Sequence, residues 1–149
     1  MVLAHSLGSV VAVDILIDLL SEGLISDRVP AHLWPIQGLL TCGSPLGIDI
    51  PLFNQIGYRN RLSALAKLPP IPKAFRWVNL YDTNDPVVSG SALGIPGVAT
   101  PLSNHPDLAS VVKDVEVDTG KHLLAHIAYF ENFILHQHLY ALAAIPQNP

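Results

Sequence analysis

This 149-residue chain predicts an α/β fold with a mostly parallel sheet flanked by helices. Three observations carry the prediction. Short apolar runs of strand length alternate with helix-like runs, and the run at 36–41 is the kind that a parallel strand buried on both faces requires. Polar residues able to do chemistry fall just after the strand-like runs, where open α/β sheets collect functional groups on loops.

The elements follow in order. Residues 1–3 read as the tail of a strand. From Ser9 onward, Val10, Val11, Val13, Ile15, Leu16, Ile17, Leu19 and Leu20 make a helix apolar on most of its circumference. Asp14 and Asp18 lie four apart on its one wet face, so the helix is expected to be buried against a sheet. Glu22-Gly23 supplies the stop. The strand at 36–41 runs into Gly43-Ser44-Pro45-Leu46-Gly47, and residues 48–73, closed by Pro69-Pro70-Ile71-Pro72, read as a lid-like excursion. Residues 77–81 form another strand, and 85–107, rich in Gly, Pro and Ser, form a long loop. Residues 114–118 alternate polar with Val like a half-exposed edge strand, and 123–144 make a final amphipathic helix. No repeat or linker divides the chain, so 1–149 reads as a single domain.

Composition excludes several classes of function. Half the residues are apolar, enough for a sizeable core. A net charge of −4 over only 13% charged residues leaves no basic stripe, and no nucleic-acid partner is expected. Cys42 is the sole cysteine; it permits no intrachain disulfide and reads as a small buried hydrophobe at a strand end, consistent with a reducing compartment. Asp14 and Asp18 interrupt the longest apolar candidate, so no transmembrane segment is expected, and Met1 has no basic segment behind it that would begin a signal peptide. The expected location is cytoplasmic, although a segment ahead of Met1 could carry a signal.

The most informative feature is Ala4-His5-Ser6-Leu7-Gly8, a small-x-Ser-x-Gly pentapeptide between an apolar strand end and an apolar helix. This is the layout of a nucleophile elbow, and small residues at Ala4 and Gly8 are expected where strand and helix pass closely. After the next strand-like runs stand Asp82 and Asp85, then His126. Ser, Asp, His is one of the chain orders of a serine-hydrolase triad. A serine hydroxyl becomes a useful nucleophile when a neutral imidazole takes its proton, and a carboxylate fixes the imidazole tautomer. The Leu7 N–H, at the helix start, is the expected oxyanion donor.

The chain resembles bacterial lipase-like and esterase-like members of the α/β-hydrolase superfamily, including relatives of the GPI inositol-deacylases. The resemblance rests on Ala4-His5-Ser6-Leu7-Gly8-Ser9-Val10-Val11-Ala12, Thr41-Cys42-Gly43-Ser44-Pro45-Leu46-Gly47, Trp77-Val78-Asn79-Leu80-Tyr81-Asp82-Thr83-Asn84-Asp85-Pro86-Val87 and Ala125-His126-Ile127-Ala128-Tyr129-Phe130-Glu131-Asn132. It implies Asp85, in Asp-Pro-Val, and His126, in Ala-His-x-x-Tyr, as triad partners of Ser6. Ala4 stands where Gly is commoner. The resemblance also implies strands and helices ahead of the nucleophile, so the chain is expected to be a C-terminal half lacking the N-terminal strands and one oxyanion donor. Alone, such a half is expected to self-associate or to pair with the missing part.

Other readings stand beside this one. Ser6 could cap the helix, and Asp82 is the rival carboxylate to Asp85. His122, His105 and His5 are alternatives to His126, with His5, inside the elbow, reading rather as a packed neighbour, and His122 with His126 could hold a metal on a helix, without a nearby third ligand. Trp77, Tyr129, Phe130 and Phe133 read as core aromatics, and Ser9 and Ser44 as structural. The expected function is cofactor-free hydrolysis of a carboxylic ester through an acyl-enzyme, with no metal. The apolar tone of 48–68 and 92–98 suits an acyl chain. A non-catalytic interaction module of the same fold and a His-rich metal-binding domain are the alternatives.

Overall fold

A computed structural model describes residues 1–47, 64–65, 67–88, 111–121 and 124–144. Most of the excursion at 48–73 and of the loop at 85–107, with His105 and His122, lies outside the described residues, as does 92–98. Four strands, β1 (Val2–His5), β2 (Gly38–Cys42), β3 (Arg76–Tyr81) and β4 (Val112–Glu116), form a parallel sheet in the order β1-β2-β3-β4. The parallel α/β architecture is thus present. Beside the strands run α1 (Leu7–Ser21), α2 (Ala125–Ala128) and α3 (Phe133–Ala143). Among the described residues no helix is long and apolar enough to cross a membrane.

Alternation along the strands builds two cores. Leu39, Trp77 and Val112 meet Val13, Leu16 and Leu20 of α1 on one face. Leu40, Cys42, Val78 and Leu80 meet Tyr129, Leu135 and Leu142 on the other. β2 is buried along its whole length, which explains its near-continuous apolar sequence. Inside the first core Trp77 Nε1 donates to Thr41 Oγ1 (3.1 Å), Thr41 Oγ1 donates to Asn79 Oδ1 (2.7 Å), and Asn79 Nδ2 donates to Asp114 Oδ1 (2.8 Å). The buried Thr41 of β2 and Asn79 of β3 are thereby satisfied rather than stranded.

Helix α1 ends as a Schellman turn. Gly23, at φ +71°, donates to the Leu20 carbonyl, and Leu24 donates to that of Leu19. Its burial is one-sided: Leu7, Val11 and Ile15 are 58%, 57% and 48% exposed along one outward stripe. The crowding expected at Gly8 is not found either, because a Cβ there would meet no atom within 4 Å. β1 is an edge of the described sheet, so no further described strand stands beside the elbow. The two edges differ in character. β4 carries Lys113, Asp114 and Glu116, whereas β1, Val-Leu-Ala-His, has no carboxylate, Lys or Arg to discourage another strand.

The single helix expected over 123–144 is divided. Asn132 is extended (φ −82°, ψ 127°), its side chain accepts from Ile134 N (2.9 Å) to cap α3, and its Nδ2 donates to the Asp118 carbonyl (2.9 Å). An apolar periodicity that runs through such a residue conceals the break. Its consequence is that α2 and the 3₁₀ turn Tyr129–Glu131 set His126 and Tyr129 over the end of the sheet.

Candidate functional site

Three side chains converge at the carboxyl ends of the parallel strands. Ser6 leaves β1 at φ +54°, ψ −129°, the one described non-glycine residue with positive φ. Its N–H still donates to the Cys42 carbonyl (3.1 Å), so the turn into α1 is made within one residue. A left-handed serine stores backbone strain and persists only where its surroundings hold it. Its side chain makes no helix-capping bond. Instead, its Oγ lies 2.8 Å from His126 Nε2.

His126 Nδ1 lies 2.9 Å from Asp85 Oδ2 and 3.1 Å from Oδ1. With a carboxylate on Nδ1 and a hydroxyl on Nε2, the neutral ring is the Nδ1–H tautomer, and the Ser6 hydroxyl donates to Nε2. Asp85 is completely buried, while the His126 side chain is 21% exposed. The array therefore runs from a dry acid to a hydroxyl at the surface. Asp85 is held from several sides: Val87 N donates to Oδ1 (2.8 Å), and the Tyr129 hydroxyl donates to Oδ2 (2.9 Å). Burial first, then the Asp85 charge, pushes the Tyr129 phenol far up, so it stays a donor. The same oxygen accepts from Asp82 N (2.8 Å), tying the strand end to the acid.

Asp82, the rival carboxylate, serves the loop. It accepts from Asn84 N (2.7 Å) and Thr119 N (2.8 Å). Burial raises its pKa, but these N–H donors outweigh burial and hold the carboxyl below its ordinary value. Asp82→Asn should therefore destabilise the fold at neutral pH by roughly 1–3 kcal/mol, since the amide nitrogen would face an N–H donor. A depressed folded-state pKa stabilises above the unfolded value, about 3.9, and the stabilisation is lost as pH falls through the folded value. The difference in thermal midpoint between the two proteins should accordingly narrow below about pH 4.

Beneath the pair lies Gly43, at φ +56°. A Cβ there would stand 3.0 Å from Tyr129 Cε2, 3.1 Å from Asp85 Oδ2 and 3.1 Å from His126 Nδ1. Behind the elbow a hydroxyl chain fixes the backbone: Leu46 N donates to Ser44 Oγ (3.3 Å), Ser44 Oγ to Ser9 Oγ (2.8 Å), and Ser9 Oγ to the Ser6 carbonyl (2.6 Å). His5 Nε2–H donates to the His126 carbonyl (2.6 Å), with ring centroids 4.7 Å apart. The Cys42 thiol stays protonated, because burial and then the Asp85 charge push its pKa up to about 12.

Leu7 opens α1, so its N–H has no acceptor within the helix and lies next in the chain to Ser6. In the loop after β2, Gly43 N–H is committed to the Leu80 carbonyl (3.2 Å) and Ser44 Oγ to the hydroxyl chain. No group of three or more His, Cys, Asp or Glu able to hold a metal occurs among the described residues.

The sequence reads Tyr129 as a core aromatic without its hydroxyl role and His5 as a packed neighbour inside the elbow, and the His5 ring indeed packs on His126, whereas the space required at Gly43 has no counterpart in that reading. A signal existed for Tyr129, which follows His126 by three residues and so shares its helical face. Compared with known proteins, the chain matches no family model, no curated protein and no solved structure.

Proposed function

We propose that the chain is a serine hydrolase of carboxylic esters built on an α/β-hydrolase type of sheet. The observation that carries this reading is the continuous path Ser6 Oγ, His126 Nε2, His126 Nδ1, Asp85 Oδ2 at 2.8 and 2.9 Å. Ser6 Oγ attacks the ester carbonyl carbon as His126 Nε2 takes its proton. Asp85 and the Tyr129 hydroxyl keep the ring oriented and steady the imidazolium. Charge developing on the carbonyl oxygen is met by the Leu7 N–H. The imidazolium then protonates the leaving alcohol, and water, deprotonated by the same nitrogen, releases the acid and restores Ser6. Metal and cofactor have no part in this scheme.

The test is turnover of p-nitrophenyl acetate. Asp85→Asn should lose on the order of 10³- to 10⁴-fold, through the wrong imidazole tautomer. A properly folded Asp82→Asn protein should keep turnover within a few-fold. If Asp82→Asn were the damaging change, the roles given to the two acids would be reversed.

A second reading, an association module, is favoured by the uncharged β1 edge of the described sheet and the exposed stripe of Leu7, Val11 and Ile15. At tens of micromolar the chain should sediment as more than a monomer. Val11→Glu with Ile15→Lys should shift it toward monomer without changing the fold. A wild-type chain that stays monomeric over that range would end this reading.

A further inference from the structure

Another concave site lies at the opposite end of the sheet from Ser6. A cavity of about 670 Å³ opens at the amino ends of β3 and β4, against the C-terminal half of α3. Lys73, Arg76, Lys113 and His138 line it, around apolar surface that includes Val78 and Leu142. Lys113 pairs in register with Val78, two residues along from Arg76, so the two cations are diagonal neighbours on one face. Three of the eight Lys and Arg of a chain with net charge −4 thus meet at a single cavity.

Among the described residues none of these three forms an ion pair, and no carboxylate lines the cavity. Asp114, next to Lys113 in the chain, turns to the other face, where it accepts from Asn79. Burial, then the Lys113 charge, lowers the pKa of His138, as expected where positive charge has no answering acid. Like charges gathered without a counter-charge are costly, and an anion relieves that cost. The apolar surface beside them selects the rest of the ligand. A cavity of this size, mostly apolar with a few convergent polar groups, is typical of a small-molecule site.

We propose that this cavity binds an anionic amphiphile, a single-chain carboxylate whose headgroup pairs with Arg76 and Lys113 while its hydrocarbon lies against Val78 and Leu142. Arg76 can take the carboxylate bidentately, and Lys113 adds a point charge. The inference does not rest on the hydrolase reading. Because an acyl carboxylate is also what ester cleavage would release, the test must separate the two ends of the sheet.

In a Trp34→Phe chain Trp77, on the far face of β3 from Val78, is the remaining tryptophan, and 12-bromododecanoate below its micelle concentration serves as a short-range quencher acting across the strand. The expected result is saturable one-to-one quenching, reversed by dodecanoate but not by acetate or dodecyltrimethylammonium. Arg76→Glu or Lys113→Glu should weaken binding by roughly tenfold or more, Arg76→Lys should retain most of it, and Ser6→Ala should leave it unchanged. Should a Glu variant melt early, Arg76→Gln and Lys113→Gln are read instead, with the same direction of change. Equal quenching by a brominated alkylammonium, indifference to charge removal in folded variants, or loss of binding on phosphonylation of Ser6 would each overturn the proposal. Equally tight binding of acetate would reduce the site to a bare anion site and likewise refute it.

Discussion

Ser6→Ala and His126→Ala are each expected to lower p-nitrophenyl acetate turnover on the order of 10⁴-fold, with the double variant little worse than either. On the proposed reading the hydroxyl and the imidazole act as a unit: without His126 Nε2 at 2.8 Å, Ser6 Oγ would be an ordinary alcohol, and without Oγ the imidazole would have nothing to activate. Neither change should unfold the chain, since Ser6 is partly exposed and its helix gains no side-chain cap from it. Losses that simply multiplied in the double variant would show that the two groups work independently.

Gly43→Ala should have the next largest effect. The left-handed backbone alone costs an alanine about 1–2 kcal/mol, and the added methyl would press on Tyr129, Asp85 and His126 together, at 3.0–3.1 Å. Overpacking of this kind costs roughly 1–3 kcal/mol more, and relief comes only by moving the acid or the imidazole. Displacement by about 1 Å is enough to cost ~10²-fold in rate. Gly23→Ala is the internal comparison, because Gly23 has φ +71° but open space around its Cβ position. It should pay the backbone term alone and keep full turnover. Equal behaviour of the two variants would show that Gly43 is needed for its conformation and not for the space it leaves.

How much of this was legible depended on whether a feature is local. The strand-to-helix turn at Ser6 was readable because its two elements are adjacent in sequence, and the strand end preceding Asp85 was readable from an apolar run, whereas His126 sits on a short helix ten residues past β4. The choice between Asp82 and Asp85 was not fixed by composition. Both are buried after β3, and only the fold shows that Asp82 faces backbone N–H groups while Asp85 faces His126. Tyr129 and Gly43 act through contacts between distant parts of the chain, which no window of residues contains. The break at Asn132 was hidden because the apolar positions around it keep a helical spacing while its own side chain starts a new helix. The outward stripe on α1 was hidden for the opposite reason: a helix apolar nearly all round does not declare which side is covered.

The central claim is that Ser6 is activated by His126. Reaction of the 149-residue chain with a fluorophosphonate, followed by peptide mass spectrometry, tests it without needing a known substrate. The account predicts a single phosphonylated residue, Ser6, with labelling lost in His126→Ala and retained in Asp82→Asn. Absence of label on Ser6 in a folded chain, or labelling that persists at the same rate without His126, would contradict it.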